Sequence, residues 1–294
     1  NGQDVEAQLK RTLGDLNRIP MMPDVAVKAM TVAQDPRSSL AQLASMIEKD
    51  VVLAAGILRL ANSSLYSVGR AIGSLDQAVV RLGLRECQNL IVAVGMRSLF
   101  RQVVPATRRH AEALWHHAFL TAILCRHVNR TLLLGYQGEE FSAGLSHDIG
   151  RLLLAIGAPT YFQSADPMDF CENADILKRE QEVLGTDHCL LGAWFARQNK
   201  LPDTIIGSVE HHHQPDAAGE AAPLVALVAL ADDMANHAAR GEATDSYEPG
   251  ENRGWTILTS DWSEEQTSRA RATLPGILQS ALEETTNVQG LAVA

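Results

Sequence analysis

Apolar residues recur along nearly the whole chain at the i, i+3, i+4, i+7 spacing of a helix face, in runs of 10 to 25 residues. Short Pro, Gly, Ser or Asn breaks separate the runs, and no stretch alternates as a half-buried strand does. The pattern predicts an all-α protein with helices over residues 3–17, 23–35, 39–49, 51–62, 74–83, 84–103, 106–133, 139–157, 173–184, 186–199, 202–213, 222–240 and 262–286. Several starts have a mechanism. Pro23 is expected in the first turn of its helix, where a missing N–H costs nothing, and Ser38 or Ser39 can cap the next by accepting from an orphan amide. Pro202 with Asp203 opens the helix that ends in three consecutive histidines.

The chemistry changes along the chain. All ten histidines (110, 116, 117, 127, 147, 188, 211, 212, 213 and 237) lie between positions 110 and 237. This implies an N-terminal helical bundle, residues 1–105, built for packing and joined to a C-terminal helical half, 106–240, that carries the polar chemistry. Residues 241–294 read as a polar broken loop, 241–262, followed by a last amphipathic helix.

A metal site needs side chains from separate helices to face one point, so the direction of each candidate matters. His117 shares a stripe with Leu120, Thr121 and Leu124, while His116 is turned about 100° away. Asp148, next to His147, lies in a row with Phe141, Leu145 and Leu152, which places a carboxylate inward. An ionised group buried without a partner costs several kcal/mol, so a cation or strong donors must await it. His188 precedes Leu191, Gly192 and Phe195 on one face; His212 and His213 share a face with Ile205 and Val209, and His211 points elsewhere. Asp232 follows Val225 and Val228 on a core stripe, with Asp233 the more exposed of that pair. Each residue has an ordinary alternative: a core imidazole, a solvated helix end favoured by the C-terminal dipole, a capping or Arg-paired Asp. Taken together, the imidazoles and carboxylates suit one or two divalent transition-metal ions, iron, manganese, zinc or nickel; magnesium would suit fewer imidazoles.

Composition narrows the partners. Lys and Arg total 25 against 35 Asp and Glu, a net charge of -10, which argues against a broad phosphate-tracking surface and makes direct nucleic-acid binding unexpected. The longest apolar runs, Leu90 to Met96 and Pro223 to Ala231, are well short of the roughly 20 residues of a membrane helix. No signal peptide is recognisable, and Cys87, Cys125, Cys171 and Cys189 form no C-x-x-C pair, so buried free thiols in a reducing, cytoplasmic setting are expected. The chain opens on Asn rather than Met, as expected of a processed chain or a piece of a longer protein.

The strings LWHHAF, AGLSHDIGRLLL and LVALADDMA resemble the HD superfamily of metal-dependent phosphohydrolases, named for a His-Asp pair on a helix. Its metal-binding positions correspond to His117, His147, Asp148 and Asp232. RIPMMPDVAVKAM, EKDVVLAAGILRLANSSLYSVG and SLDQAVVRLGLRECQNL resemble the HDOD family, related to HD-GYP proteins, over roughly residues 15–240. The resemblance implies a bacterial signalling and regulatory output domain whose partners are other signalling proteins. HDOD domains have lost enzymatic function and many lack metal ligands, whereas here His188 in GTDHCLLG and His212 and His213 in EHHHQP resemble the additional ligands of HD-GYP phosphodiesterases. The Gly-Tyr-Pro hallmark is absent, and Arg151 stands where HD-GYP enzymes carry a lysine. Arginine keeps a phosphate-binding charge but not a lysine's proton donation.

Three functions follow as expectations. The first is a non-catalytic signalling module with an HD-type metal site. The second is a metal-dependent phosphohydrolase of a nucleotide or cyclic dinucleotide, with His147, Asp148 and Arg151 as its catalytic residues. The third is a redox or oxygen sensor.

Overall fold

The computed structural model describes residues 9–10, 14, 16, 19–35, 37–62, 71–168, 170 and 175–292. Among them the chain is helical, with no strand. An N-terminal bundle packs α1 (Asp24–Gln34), α2 (Leu40–Ile47) and α3 (Val51–Ala61) on the long α4 (Leu75–Leu99). Against it lies the second helical bundle: α5 (Arg108–Leu132), α6 (Glu139–Ser146), α7 (Ile149–Gly157), α8 (Pro159–Ala165), α9 (Asp175–Leu184), α10 (His188–Gln198), α11 (Asp203–His211) and α12 (Ala222–Ala239). The short α13 (Arg253–Leu258) and the long α14 (Glu264–Ala292) follow. No helix among the described residues is long and apolar enough to cross a membrane.

Local chemistry sets the ends. Ser39, rather than Ser38, caps α2 in a capping box: its hydroxyl accepts from Gln42 N at 3.2 Å while the Gln42 side chain accepts from Ser39 N at 2.7 Å. Ser74 caps α4 by accepting from Gln77 N. Pro23 precedes α1 as its N-cap instead of sitting inside the first turn. The boundary expected at residue 83 appears as a kink within α4, where Gly83 adopts φ 75° and ψ 173°.

The core is continuous across the two bundles, running from Met30, Ile57 and Ile91 to Ile123, Leu153 and Val228. Asn199 ties them together: its Oδ1 accepts from Met22 N at 3.0 Å while its Nδ2 donates to Phe195 O at 2.8 Å. A second tie runs from the Ser142 hydroxyl to Asn89 Oδ1. Beside it a cavity of about 220 Å³ opens between the bundles, lined by Met30, Arg85 and Val92 on one side and Glu139, Ser142 and Ile205 on the other. The helix expected over 3–17 lies largely outside the described residues, as does Cys171. Cys87, Cys125 and Cys189 are buried free thiols.

Three expectations change. The helix expected over 139–157 is interrupted at His147–Asp148, with Asp148 at φ -101° and ψ 16° between α6 and α7. Helix α8 occupies a stretch with no expected element: Pro159 opens it, and Phe162 and Ala165 bury its inner side. The loop expected over 241–262 contains α13, whose Trp255 is 3% exposed, because Asn252 caps it by accepting from Trp255 N at 3.0 Å.

The same segment is pinned to α12 by Tyr247, 3% exposed, whose hydroxyl donates to Asp233 Oδ2 at 2.7 Å. Burial pushes the Asp233 carboxyl up, and the Tyr247 hydroxyl pulls it back. Tyr247→Phe leaves that carboxylate without its buried donor and is expected to lower stability by about 1–3 kcal/mol. Urea unfolding followed by circular dichroism measures it as a shift in midpoint at constant slope. A midpoint equal to that of the unaltered protein would show that the hydroxyl is dispensable.

Candidate metal centre

Five separate parts of the helical half deliver side chains to one buried point. His117 comes from the middle of α5, on the stripe with Thr121 and Leu124, both fully buried. His147 and Asp148 form the break between α6 and α7, His188 is the first residue of α10, His212 and His213 follow the end of α11, and Asp232 lies on α12. All are buried except His213, which is partly exposed. His116 and His211 are also partly exposed and stay outside the cluster.

The break at Asp148 has a steric partner two residues on. A Cβ on Gly150 would stand 1.8 Å from His188 O, so only glycine lets the start of α7 lie against the first turn of α10. That approach carries His188 up to Asp148, and the Asp148 side chain makes no capping bond that would hold it away.

Asp148 divides the donors into two groups. Its Oδ2 lies 3.5 Å from His147 Nε2 and 3.9 Å from His117 Nε2, and Asp232 Oδ1 closes that group at 2.8 Å from His117 Nε2 and 3.3 Å from His147 Nε2. Its Oδ1 lies 3.5 Å from His188 Nε2 and 3.4 Å from His212 Nε2, which are 3.4 Å from each other, and His213 Nε2 lies 3.1 Å from His188 Nε2. Donors about 2.0–2.2 Å from one centre at tetrahedral angles stand about 3.3–3.6 Å apart, close to these separations.

The rings are set from behind. His147 Nδ1 lies 2.7 Å from Gly144 O, His212 Nδ1 lies 3.1 Å from Ser208 O, and His188 Nδ1 lies 2.7 Å from Glu180 Oε2. An N–H directed at each of these acceptors leaves the Nε2 lone pair turned toward the centre, the arrangement a ligating imidazole needs. Glu180 is fully buried, and the same oxygen accepts from His188 N at 2.9 Å.

Electrostatics agree with a cation-seeking site. Burial alone would raise the Asp148 carboxyl, but Arg151 and then His147 outweigh it and hold it well below the usual range. Asp232 is likewise pulled well down against its burial by His117 and His147. Burial opposes charge on His147, yet Asp148 and Asp232 raise it to about 9; burial keeps His212 below its ordinary value and His213 well below. His147 Nε2 and Asp148 Oδ1 are buried with no hydrogen-bond partner. Unpaired buried donors and acceptors facing one another are costly unless something joins them, and a divalent ion among imidazoles and carboxylates does so. The residues present therefore fit such an ion.

Arg151 does not face this space. It is fully buried: Nη1 donates to Asp148 Oδ2 at 2.8 Å, and Nε and Nη2 grip Asp166 at 2.7 and 3.0 Å. Two carboxylates thus engage the guanidinium. Asp166, Glu180 and Asn236, which donates to Asp232 Oδ1 at 3.2 Å, support the site without having been anticipated. Glu180 was nonetheless legible: Ile176, Glu180 and Leu184 share the inward row of an otherwise charged helix, and all three are buried.

Comparison with known proteins gives a consistent setting. The profile of the HDOD domain matches residues 19–215, ending just past His213 and short of Asp232. The crystal structure of an HDOD domain protein of unknown function from Geobacter sulfurreducens is similar over 99% of this chain and 100% of that one, with 25% identity and a TM-score of 0.72. A Shewanella amazonensis structure with a provisional phosphohydrolase label aligns over 98% of each chain with 23% identity and a TM-score of 0.68, a likeness of fold. An uncharacterised protein of Treponema pallidum is 25% identical over 235 residues, 78% of this chain. The chain spans 44% of the length of that curated relative.

Proposed function

The chain belongs to the HDOD family, and from that premise we propose that it is a signal-transduction output module, non-catalytic, built around a divalent transition-metal centre that fixes the helical half from within. In this reading residues 1–105 form the packing bundle, 106–240 the metal-bearing half and 241–294 its C-terminal brace, and the partners are other signalling proteins. His117, His147, Asp232 and Asp148 Oδ2 would hold one ion; His188, His212, His213 and Asp148 Oδ1 would hold a second. A bound ion supplies positive charge against Asp148 and Asp232 and ties α5, α10, α11 and α12 to the α6–α7 break.

The observation that carries the non-catalytic reading is the enclosure of this centre together with the commitment of Arg151. The donors other than His213 are buried, and a hollow among the described residues that Asp148 helps to line has a volume of about 20 Å³, the scale of one water. Elemental analysis of the purified chain, followed by incubation with a panel of phosphomonoesters, nucleotides and cyclic dinucleotides, tests it. Bound metal with no turnover is expected; turnover that needs the metal and vanishes in Asp148→Ala would overturn it.

One observation favours a second reading, a metal-dependent phosphohydrolase acting on a nucleotide ligand. Asp148 faces both donor groups with one oxygen each, the bridging arrangement of two-metal phosphoester chemistry. His147 and Asp148 would then be catalytic, and Arg151 would have to leave Asp166 to meet a phosphate.

Either way, ion uptake has a pH signature. In the metal-free protein Asp148 and Asp232 hold His147 at about 9, so at neutral pH an entering cation displaces a proton from it. Apparent affinity for the ion held by His117 and His147 is expected to rise by about tenfold per pH unit from pH 7 until it flattens near pH 9. Calorimetric titrations in buffers of different ionisation enthalpy read the released proton directly. A pH-independent affinity with no proton release would contradict the arrangement around His147.

A further inference from the structure

The two halves of the centre differ in chemistry, and the difference lies in a side chain that the site as described leaves unused. Cys189 follows His188 in the first turn of α10 and is 6% exposed. Its Sγ and one donor atom each of His188, His212 and His213 all lie within 4.8 Å of one another. The other described cysteines, Cys87 and Cys125, are buried among apolar side chains and belong to no such group. A second observation marks the same spot as a ligand site: Asp148 Oδ1, buried and without a hydrogen-bond partner, points into it from 3.4 Å off His212 Nε2 and 3.5 Å off His188 Nε2.

Resting on the metal-centre reading above, we propose that Cys189 is a thiolate ligand of the three-histidine half, which thereby adds a sulfur donor to its imidazoles and Asp148 Oδ1 and is selective for a borderline or soft divalent ion. Thiolate and imidazole favour zinc, cobalt or ferrous iron over manganese and magnesium. The other half, His117 and His147 with oxygens of Asp148 and Asp232, offers equal numbers of imidazoles and carboxylates and takes the harder ion. Binding is a plain exchange: the Cys189 thiol gives its proton to solvent as the sulfur–metal bond forms, and nothing is oxidised or reduced. A sulfur ligand sits about 2.3 Å from the metal and about 3.6 Å from its nitrogen neighbours.

Cobalt(II) reports a thiolate ligand by its colour. The full chain, stripped of metal and titrated with Co²⁺ under reducing conditions, is expected to develop a sulfur-to-cobalt charge-transfer band in the near ultraviolet with the first equivalent. Cys189→Ser should lose that band while still taking up cobalt with visible d–d absorption, and Cys125→Ser should keep it. A following titration with Mn²⁺ should fill one remaining site per chain, counted by elemental analysis. Cobalt uptake by the unaltered protein without a charge-transfer band overturns the assignment and leaves the metal centre standing, as does a band that survives Cys189→Ser. Protein that takes up no cobalt overturns both. A missing band on the unaltered chain overturns the assignment by itself even if the serine variant fails to fold.

Discussion

Asp148→Ala is expected to lose both ions at once, a fall from two per chain to none when measured by elemental analysis after gel filtration. Asp148 reaches both donor groups, with Oδ2 at 3.5 Å from His147 Nε2 and Oδ1 at 3.4 Å from His212 Nε2. Removing even an indirect support of a ligand weakens binding about 10–100-fold, and removing a shared ligand should cost at least that at each half. Asp232→Asn provides the contrast, since Asp232 Oδ1 approaches His117 and His147 and its loss should empty one half while the three-histidine half stays filled. The loss in Asp148→Ala does not require the fold to fail, because the Arg151 guanidinium keeps its paired contact with Asp166. Circular dichroism on the same samples separates the two outcomes. If Asp148→Ala retains two ions at unchanged affinity, the shared-ligand arrangement is wrong.

The second large effect is on stability. Arg151→Ala is expected to cost about 3–5 kcal/mol, because it removes a fully buried cation and strands the carboxylates it pairs. Asp166 is 1% exposed and, among the described residues, would keep one donor, Met168 N at 3.0 Å. The melting temperature should fall on the order of 10 °C. Arg151→Lys keeps the charge but cannot grip one carboxylate with two donors while reaching a second, so it should fall between. Arg151→Met combined with Asp166→Leu should recover part of the loss, since replacing a buried pair by apolar groups of similar volume is far cheaper than breaking it. A melting temperature for Arg151→Ala within about 2 °C of the unaltered chain would show that the pairing is energetically idle.

Much of the candidate site is legible in the sequence because helical periodicity reports direction. The periodicity places His117 beside Thr121 and Leu124, His188 beside Leu191 and Phe195, and Asp232 below Val228 in inward rows, and each of the three is buried. The separation of His212 and His213 from His211 follows from the same geometry, one residue being about 100° of turn. Where the pattern misled, the local preference was overridden from a distance. Residues 139–157 read as one helix, yet the chain breaks at His147–Asp148, where Gly150 lies against His188 O. Residues 241–262 read as polar loop, yet Asn252 and Trp255 supply the cap and the anchor of a short helix.

What the sequence determined by itself was the helical class, the confinement of the histidines to one half and the family, because these depend on composition, period and short strings that each segment carries alone. What only the tertiary structure decided was which oxygen of Asp148 faces which imidazoles, that Arg151 is held by Asp166, and that Glu180 stands behind His188. Those facts are set by distances of 2.7 to 3.9 Å between residues up to 64 positions apart in the chain, the separation of Asp148 and His212. No local pattern encodes such a separation; it exists only once burial of the apolar faces has fixed how the helices cross.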